Sequence, residues 1–378
     1  MLSRNYFYID KEESFEKEII SCKKKLQKEH AIKTIIGITF FINSFNEADF
    51  FKKREKIRNA FGEQFENLPL SIVSQPAGDG TAMEIWTHDN CKNISYKNCW
   101  GIDYTVYDDS FGRSVWGLGL STNNPDVSFR KQTSHSFELM QAILSTEGFT
   151  MDNLVRQWNY IPNILKTSIE DERLFQNYQL FNDIRQYYYG VYKRNNVYPA
   201  ATGIGMETGP VTIDFLAVKE NETTVLKGMK NPNQTNAYQY GQEVLIGSPL
   251  KVNEIKKAPL FERAKYIGST TGAIIFISGT ASIIGEKTIG LDDISEQINI
   301  TVNNISDLVN TENLNSMGIH VQERKYSYIR IYVKRLDDIG LVKEFCKKYY
   351  GDTPALYVKA DVCRDNLLVE IEGEMRLN

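Results

Sequence analysis

Two residues near the end of the chain could do acid–base chemistry, the thiol Cys363 and the carboxylate Glu370. They belong to the segment Tyr357–Glu372, whose pattern predicts two short strands joined by a turn at residues 364–366. Because side chains alternate along a strand, Glu370 and Glu372 share one face, and Cys363 on the neighbouring segment could face the same cavity. The structural alternative is an edge strand with solvated acids and a buried cysteine.

Composition excludes several classes of protein. The 378 residues carry a net charge of -4, whereas general nucleic-acid-binding proteins usually show a basic excess. The first ten residues lack the apolar core of a secretory signal, and no apolar run approaches the length of a membrane span. We therefore expect a cytoplasmic protein that binds neither nucleic acid nor membrane.

The cysteines and histidines do not indicate a metal site. The cysteines, at positions 22, 91, 99, 346 and 363, form no C-x-x-C pair, and the four histidines are far apart. A GIG sequence at 203–205 lacks the following helix that a dinucleotide-binding fingerprint requires. The sequence therefore predicts neither a metal nor an organic cofactor.

The order strand–helix–strand–helix–strand–strand occurs twice in the second part of the chain. The first copy spans about 112–218, and the second ends in the strand that carries Glu370. A Pro-Ala pair recurs at 199–200 and 354–355, and this alignment places Asp214 at the position of Glu370. The pattern predicts an α+β fold with two duplicated units, each packing two helices on one face of a sheet.

We expect two domains, 1–220 with the first unit and 221–378 with the second, catalytic unit, in a monomer that closes its site within one chain. Residues 1–110 predict an additional α/β region without recognisable chemistry, which we interpret as a scaffold. The stretches 231–241 and 248–257 are candidates for loops that form the site, with plain surface connectors as the alternative.

Eight motifs are spread over about 115–375: QWNYIPNI (157–164), NYQLFNDIR (177–185), YPAATGIGM (198–206), IDFLAV (213–218), NPNQTNAYQYG (231–241), FERA (261–264), SGTASIIGE (278–286) and ADVCRDNLLVEIEG (360–373). Together they resemble the chorismatase family, also known as pteridine-dependent deoxygenase-like proteins, whose units have a YjgF-like (reactive-intermediate deaminase) fold. The first 110 residues fall outside this resemblance. The Pro-Ala pairs also lack the following arginine with which YjgF-like deaminases bind a substrate carboxylate.

The resemblance implies that the chain releases pyruvate from chorismate, a cyclohexadiene with a ring carboxylate, a C4 hydroxyl and a C3 enolpyruvyl ether. Glu370 matches the family's acid, which protonates the terminal methylene of the ether, and Glu372 is the alternative by strand face. Gly279 and Cys363 match the branch that forms 3-hydroxybenzoate by intramolecular displacement. In that branch Cys363 would assist ring opening as a proton relay or base. The structural alternative is that Cys363 is a small buried hydrophobic residue.

The two carboxylates of chorismate need cationic or polar partners, and arginine forks suit them best. The candidates are Arg185, Arg263, Arg330, Tyr160, Tyr178 and Tyr240. Other functions stay open: a hydrolytic chorismatase giving a dihydroxycyclohexadienoate and pyruvate, a non-catalytic YjgF-like protein that binds a small carboxylate, or a structural subunit that works only by assembly. Glu370→Gln separates an enzyme from a binding protein, because only turnover requires the acid.

Overall fold

A computed structural model of the chain describes residues 2–30, 33–62, 65–170, 172–250, 254–321 and 323–377. Within these ranges the chain forms three larger β-sheets, each with α-helices packed on one face. The helix-free faces meet at the centre of the molecule, where Trp86, Trp116 and Trp158 pack together.

The first sheet is built from residues 2–88. Alternate residues of its strands, such as Ile38 and Phe40, pack against Phe50 and Ile57 on the apolar side of a helix. The elements are β1 (Leu2–Ile9), α1 (Phe15–His30), β2 (Thr34–Phe41), α2 (Glu47–Gly62), β3 (Leu70–Val73) and β4 (Thr81–His88). The strand order is β1-β4-β2-β3, with β2 and β3 parallel.

The second sheet is built from residues 92–220. Its elements are β5 (Lys92–Cys99), β6 (Ile102–Asp109), β7 (Gly112–Leu120), α3 (Phe129–Thr146), β8 (Leu154–Pro162), β9 (Thr167–Glu170), β10 (Arg173–Gln176), α4 (Asn177–Tyr192), β11 (Ala200–Met206) and β12 (Thr212–Glu220). The strand order is β11-β8-β12-β7-β6-β5, with β8 and β11 parallel, and β9 and β10 form a separate hairpin.

The third sheet is built from residues 225–377. Its elements are β13 (Val225–Met229), β14 (Ala264–Ser269), β15 (Gly272–Ala281), β16 (Ile283–Ile284), β17 (Lys287–Thr288), α5 (Ile294–Leu308), α6 (Thr311–Ser316), β18 (Arg324–Val333), α7 (Ile339–Tyr350), β19 (Ala355–Lys359) and β20 (Val369–Leu377). Read from β19, the strand order is β19-β18-β20-β15-β14-β13, which matches the second sheet strand for strand.

The predicted duplication is confirmed, and the N-terminal region is a further copy of the same unit. In β1-α1-β2-α2-β3-β4, the last strand lies between the first and second, and the third strand pairs in parallel with the second. The units that start at β7 and β15 have the same pairing. The interpretation of residues 1–110 as a scaffold stays a prediction. The copy was missed because no shared motif marks it, and its Pro76-Ala77 pair follows β3, whereas the other two pairs lie at the start of β11 and β19.

The closing segment is not a hairpin. β18 lies between β19 and β20, pairing in parallel with the first and antiparallel with the second. Cys363 therefore lies in a connection that crosses from one side of β18 to the other, rather than on a strand. Sequence alternation cannot distinguish a hairpin from such a crossover, because both present two strands separated by turn residues.

The residue-by-residue alignment of the two predicted copies also needs correction. Asp214 lies on β12 opposite a β-bulge of β7, and Glu372 lies on β20 opposite a β-bulge of β15. Asp214 therefore corresponds to Glu372, and Thr212 to Glu370. The Pro-Ala pairs are one residue out of step, because Ala200 faces the central core whereas Ala355 packs towards the helices.

The predicted domain boundary at residue 220 coincides with the end of β12, and the division into domains stays a prediction, as does the monomeric state. None of the helices in the described part of the chain is long and apolar enough to cross a membrane.

Candidate active site

A cleft lies where the second sheet meets the third, between β11 and α4 on one side and β15 and β20 on the other. Hydrogen bonds join the two sheets at its floor: Ala201 N donates to Ser278 Oγ (2.9 Å) and Gly279 N donates to Thr202 Oγ1 (3.1 Å). The cleft holds about 760 Å³ of atom-free space, part of it open to solvent. Its lining includes Gln176, Tyr178, Arg185, Gly203, Tyr240, Leu245, Phe261, Arg263, Gly279, Ile283, Cys363, Arg364 and Glu370.

Glu370 is the acid of this cleft. Its strand neighbours Val369 and Ile371 pack towards the helices, so Glu370 points from the helix-free face and is only 5% exposed. None of the described residues hydrogen-bonds its carboxyl group. Burial and then the negative charge of Glu372 raise the pKa of Glu370 to about 8, although Arg156 and Arg263 oppose the shift. At neutral pH it is therefore a carboxylic acid that can donate a proton.

Gly279 is the residue on which this carboxyl group lies. A Cβ built on Gly279 would overlap Glu370 Oε1 and would lie 3.2 Å from Thr202 Cγ2. The absence of a side chain at this position therefore makes the space that the Glu370 carboxyl group occupies. Gly279, which the sequence predicts as a substrate-binding residue, therefore positions the acid Glu370.

Glu372 lies on the same face but in a different environment. Its Oε2 accepts from Arg156 Nη2 (2.7 Å), and its Oε1 accepts from Trp158 Nε1 (2.9 Å). Burial alone would raise the pKa of Glu372, but Arg330, Arg156 and Arg4 outweigh burial and lower it to about 2. Glu372 is therefore a permanent carboxylate outside the cleft lining, which favours Glu370 in the choice between the two acids.

Cys363 lines the cleft from the connection between β19 and β20. Burial and the nearby Glu370 raise the pKa of the Cys363 thiol to about 12, against the charges of Arg364 and Arg263. The thiol is therefore protonated at neutral pH. This environment suits a proton relay or hydrogen-bond donor and disfavours the thiolate base that the sequence left open.

Arg185 of α4 and Arg263, which precedes β14, bring positive charge to the cleft. They are 2% and 4% exposed. Arg185 Nη2 donates to Asn182 Oδ1 (2.6 Å), and Arg263 Nη2 donates to Tyr240 OH (2.9 Å) and to Thr235 O. The Nε of each has no hydrogen-bond partner, and neither forms an ion pair with an acid of the described chain. Because buried cations without counter-charge are costly, this pair favours an anionic ligand.

The two predicted tyrosines of the cleft form part of its wall. Tyr178 packs over Gly203, where a Cβ would lie 3.1 Å from its ring. The Tyr240 ring lies between two guanidinium groups, with Arg263 Cζ at 5.7 Å and Arg364 Cζ at 5.5 Å from its centroid. Such cation–π contacts hold the arginines next to an aromatic surface.

The structure does not bring Arg330 and Tyr160 to the cleft. Arg330 Nη2 and Nε donate to both oxygens of Glu84 (2.6 and 3.2 Å), and its Nη1 donates to Tyr160 OH and Tyr332 OH (2.9 Å each). Each of the three nitrogens of Arg330 therefore donates within the protein, and neither Arg330 nor Tyr160 lines the cleft, which removes both residues from the substrate-binding candidates. Strand periodicity could not reveal this. Arg330 and the cleft residues have the same alternating sequence pattern, and they differ only in where they lie on the sheets.

Arg330 belongs to a buried charge cluster at the centre of the molecule that sequence reasoning missed. Each member is at most 6% exposed. An available signal was the recurrence of charged residues at alternate positions of an otherwise apolar strand, as in β20. The central charge cluster consists of Arg4, Glu84, Arg156, Arg330, Glu372 and Glu374.

Both predicted loops lie near the cleft, but they contribute differently. Segment 231–241 supplies Tyr240 to the lining. The described part of 248–257 supplies none, and residues 251–253 lie outside the described residues. Lys257 instead fixes its loop to α4, since its carbonyl accepts from Gln179 Nε2 (2.8 Å) and its N donates to Asp183 Oδ1 (3.2 Å). The neighbouring segment 244–246 lines the cleft and was not predicted.

The cleft therefore combines a neutral carboxylic acid, a thiol and two buried arginines among apolar and aromatic groups. Within the described ranges no group of three or more His, Cys, Asp or Glu side chains is arranged to hold a metal ion. The arrangement can bind a small anion and protonate it at an unsaturated carbon or a leaving group.

Comparisons with known proteins give the same family by two routes. Residues 112–217 match the model of the N-terminal domain of FkbO/Hyg5-like chorismatases. The chain is 29% identical over 261 residues to a 3-hydroxybenzoate synthase of Streptomyces hygroscopicus, covering 66% of this chain and 70% of that one. It is 30% identical over 224 residues to a chorismatase of the same species, covering 58% of this chain and 60% of the relative.

A crystal structure of a chorismatase has the same fold as this chain. The two superimpose with a TM-score of 0.72 and 21% identity, covering 99% of this chain and 98% of the other. Because it covers 99% of this chain, the similarity of fold extends over the N-terminal copy of the unit.

Proposed function

We propose that this chain is a chorismatase that converts chorismate to 3-hydroxybenzoate and pyruvate. The observation that carries the proposal is the neutral Glu370 beside two buried arginines that have no acidic partner among the described residues. Chorismate supplies what these groups lack, because it carries two carboxylates and an acid-sensitive enol ether.

Glu370 is the general acid. It protonates the terminal methylene of the enolpyruvyl group, which turns the ether carbon into an oxocarbenium ion and weakens the bond from the ring C3 to the ether oxygen. Positioned acids of this kind contribute about 10²–10⁴-fold to a rate when their pKa lies near the working pH. The burial of Glu370 gives it such a pKa, about 8.

Arg185 and Arg263 bind the two carboxylates of chorismate. Each is buried and each retains an Nε donor without a partner. Arg364 is a further donor in the lining, although its Nη1 already donates to Glu286 O (2.7 Å). Forked donors suit carboxylates because they fix the orientation of the substrate as well as its charge.

Formation of 3-hydroxybenzoate requires that the C4 hydroxyl oxygen displace pyruvate from C3 within the ring. The arene-oxide-like intermediate then opens, and loss of a ring proton restores aromaticity, so that substrate and products balance without water. The protonated Cys363 thiol stands beside Glu370 in the lining and suits the role of donor and relay during opening. Gly279 leaves room for the Glu370 carboxyl group, which begins the reaction by protonating the substrate.

The test is to incubate the purified chain with chorismate, without added metal, and to measure pyruvate together with the separated ring products. We expect pyruvate and 3-hydroxybenzoate in equal amounts. Cys363→Ala should lower or abolish 3-hydroxybenzoate relative to pyruvate, whereas Cys99→Ala, outside the cleft, should leave the ratio unchanged.

Each other outcome contradicts a stated part of the proposal. Pyruvate with a dihydroxycyclohexadienoate would make the chain the hydrolytic type and remove the role of Cys363. A wild-type product ratio and rate in Cys363→Ala would refute that role alone. Chorismate binding without pyruvate release would refute the enzyme and leave a carboxylate-binding protein.

A further inference from the structure

The carboxylate of Glu372 is held from several sides by residues of different sheets. Arg156 of β8 and Thr202 of β11 bind its Oε2, and Trp158 of β8 binds its Oε1. Arg330 Nη1 lies 3.3 Å from the same Oε1. Such a carboxylate stays ionised, because every oxygen faces donors that favour the charge.

Thr202 links this carboxylate to the floor of the cleft. Its hydroxyl donates to Glu372 Oε2 and accepts from Arg156 Nη2 (2.6 Å) and from Gly279 N (3.1 Å). Gly279 N belongs to the β-bulge of β15 opposite Glu372. Because the Glu370 carboxyl group lies against Gly279, the position of Glu372 is transmitted to the surface that carries the acid.

The electrostatic surroundings of Glu370 depend on the same carboxylate. Glu372 is the acidic group acting on Glu370, and Arg156 and Arg263 are the opposing cations. Arg156 is neutralised by Glu372 itself. The titratable and charged groups facing Glu370 from the packed elements are Glu372, Arg156, Arg263, Cys363, Arg364, Tyr178, Arg185 and Tyr240.

We infer that Glu372, held by Arg156 and Thr202, is a positioning residue that keeps Glu370 protonated and fixes the Gly279 bulge beneath it. The inference rests on the proposed role of Glu370 as the acid. In Glu372→Gln, Arg156 loses its acidic partner and Arg330 keeps only Glu84, so the field at Glu370 becomes more positive. Glu370 then releases its proton at a lower pH.

The experiment is the pH dependence of kcat/KM for pyruvate release, which reports the ionisation of the free enzyme, measured for wild type, Glu372→Gln, Thr202→Val and Thr202→Ser. In the wild type kcat/KM should fall above about pH 8, where Glu370 ionises. In Glu372→Gln this alkaline limb should move to lower pH by about one unit or more. A folded Glu372→Gln protein with an unmoved limb would overturn the inference, since general damage lowers kcat/KM without moving the limb.

The two Thr202 variants test the inference even if Glu372→Gln does not fold. Thr202→Val keeps the shape and removes the hydroxyl, so kcat at pH 7 should fall about tenfold or more with KM little changed. Thr202→Ser keeps the hydroxyl and should stay within about twofold of wild type. Equal activities of the two variants would overturn the link through Thr202.

A readout without substrate separates this inference from the proposed function. Difference infrared spectroscopy of the wild type against Glu370→Gln follows the protonated carbonyl band of Glu370 during a pH titration. We expect the band to disappear near pH 8 in the wild type and at lower pH in Glu372→Gln. Absence of chorismate turnover would refute the proposed function alone, and an unchanged titration in Glu372→Gln would refute the inference alone.

Discussion

The cleft between the second and third sheets has a counterpart between the first and second. The counterpart is formed by α2 and β3, the equivalents of α4 and β11, on one side and by β6 and β7, the equivalents of β14 and β15, on the other. Its described lining includes Arg58, Leu70, Asp103 and Leu118 and no residue of β12, the equivalent of β20. Both lie next to a β-bulge of the first strand of a unit. The same backbone framework is therefore used twice.

The side chains at equivalent positions differ. Where the third sheet has Glu370, the second has Thr212, whose hydroxyl donates to Pro210 O (3.0 Å). Where Gly279 N donates to Thr202, Gly119 N donates directly to Asp214 Oδ1 (2.7 Å). The second sheet thus uses Asp214 to close the bulge and has a threonine at the position of the acid Glu370.

The corresponding carboxylates also have different charge states. Burial raises the pKa of Asp214 to about 7, and the hydrogen bond from Gly119 N does not offset it. Glu372, equally buried, has three arginines near it and a pKa lowered to about 2. The comparison shows that the repeated fold supplies a cleft and a bulge, whereas the chemistry depends on one added acid and on arginines from other units.

The largest effect expected from this comparison is that of Glu370→Gln. It removes the only transferable proton on the Glu370 side chain, so the rate of pyruvate release should fall by about 10²–10⁴-fold while chorismate still binds. The measurement is pyruvate release together with calorimetric binding. Thr212→Val at the equivalent position is the control and should leave turnover within about twofold. Substantial turnover in Glu370→Gln would show that Glu370 is not the acid.

A smaller effect is expected for the arginines, and it distinguishes an arginine that lines the cleft from one that belongs to the central charge cluster. Arg185→Met should raise KM about 10–150-fold, the equivalent of one charged hydrogen bond, without lowering the melting temperature, because Arg185 has no acidic partner to leave behind. Arg330→Met should lower the melting temperature, because the buried Glu84 then loses its two-fold contact with Arg330 and keeps only Arg4 as a counter-charge.

Kinetics and thermal unfolding of both variants are the measurements, with Arg58→Met in the counterpart cleft as the control for KM. A lower melting temperature and an unchanged KM in Arg185→Met would make Arg185 a structural residue.

The smallest expected effect distinguishes the two glycines of the bulges. Gly279→Ala should lower kcat by about tenfold with little loss of stability, because the new Cβ displaces the Glu370 carboxyl group rather than backbone. Gly119→Ala should instead destabilise the fold by about 1 kcal/mol or more, since Gly119 has a φ of +71° and its Cβ would overlap Leu70 O. The measurements are thermal unfolding and kcat of the two variants. Equal changes in stability and in kcat for Gly279→Ala and Gly119→Ala would contradict this prediction.

Much of the fold was predictable. The helix over Asn177–Tyr192 and the strand over Thr34–Phe41 have the bounds that periodicity indicates, because an apolar face of period 3.6 or 2 fits few other structures. The α+β class, the duplication and the family resemblance were likewise confirmed. The N-terminal copy was not predicted, because it is equivalent to the other two units in the pairing of its strands and not in any shared motif.

The site was predictable only in part. Glu370, Cys363, Gly279, Arg185, Arg263, Tyr178 and Tyr240 come together in one cleft. Arg330 and Tyr160 do not, and Arg364 and the segment 244–246 were not foreseen as lining. Motif resemblance identifies residue types that the chemistry needs, but it does not say which arginine has already been neutralised by an acid of another sheet.

The sequence by itself determined the elements, the family and the groups available for proton transfer and carboxylate binding, because local periodicity and motif spacing are properties of a single stretch of chain. The tertiary structure decided the protonation of those groups. Glu370 and Glu372 are two residues apart on one strand, and what separates their behaviour is the packing of β8, β11 and β18 around one of them and the open cleft around the other. Burial and charge at a site come from residues distant in sequence, which no local pattern records.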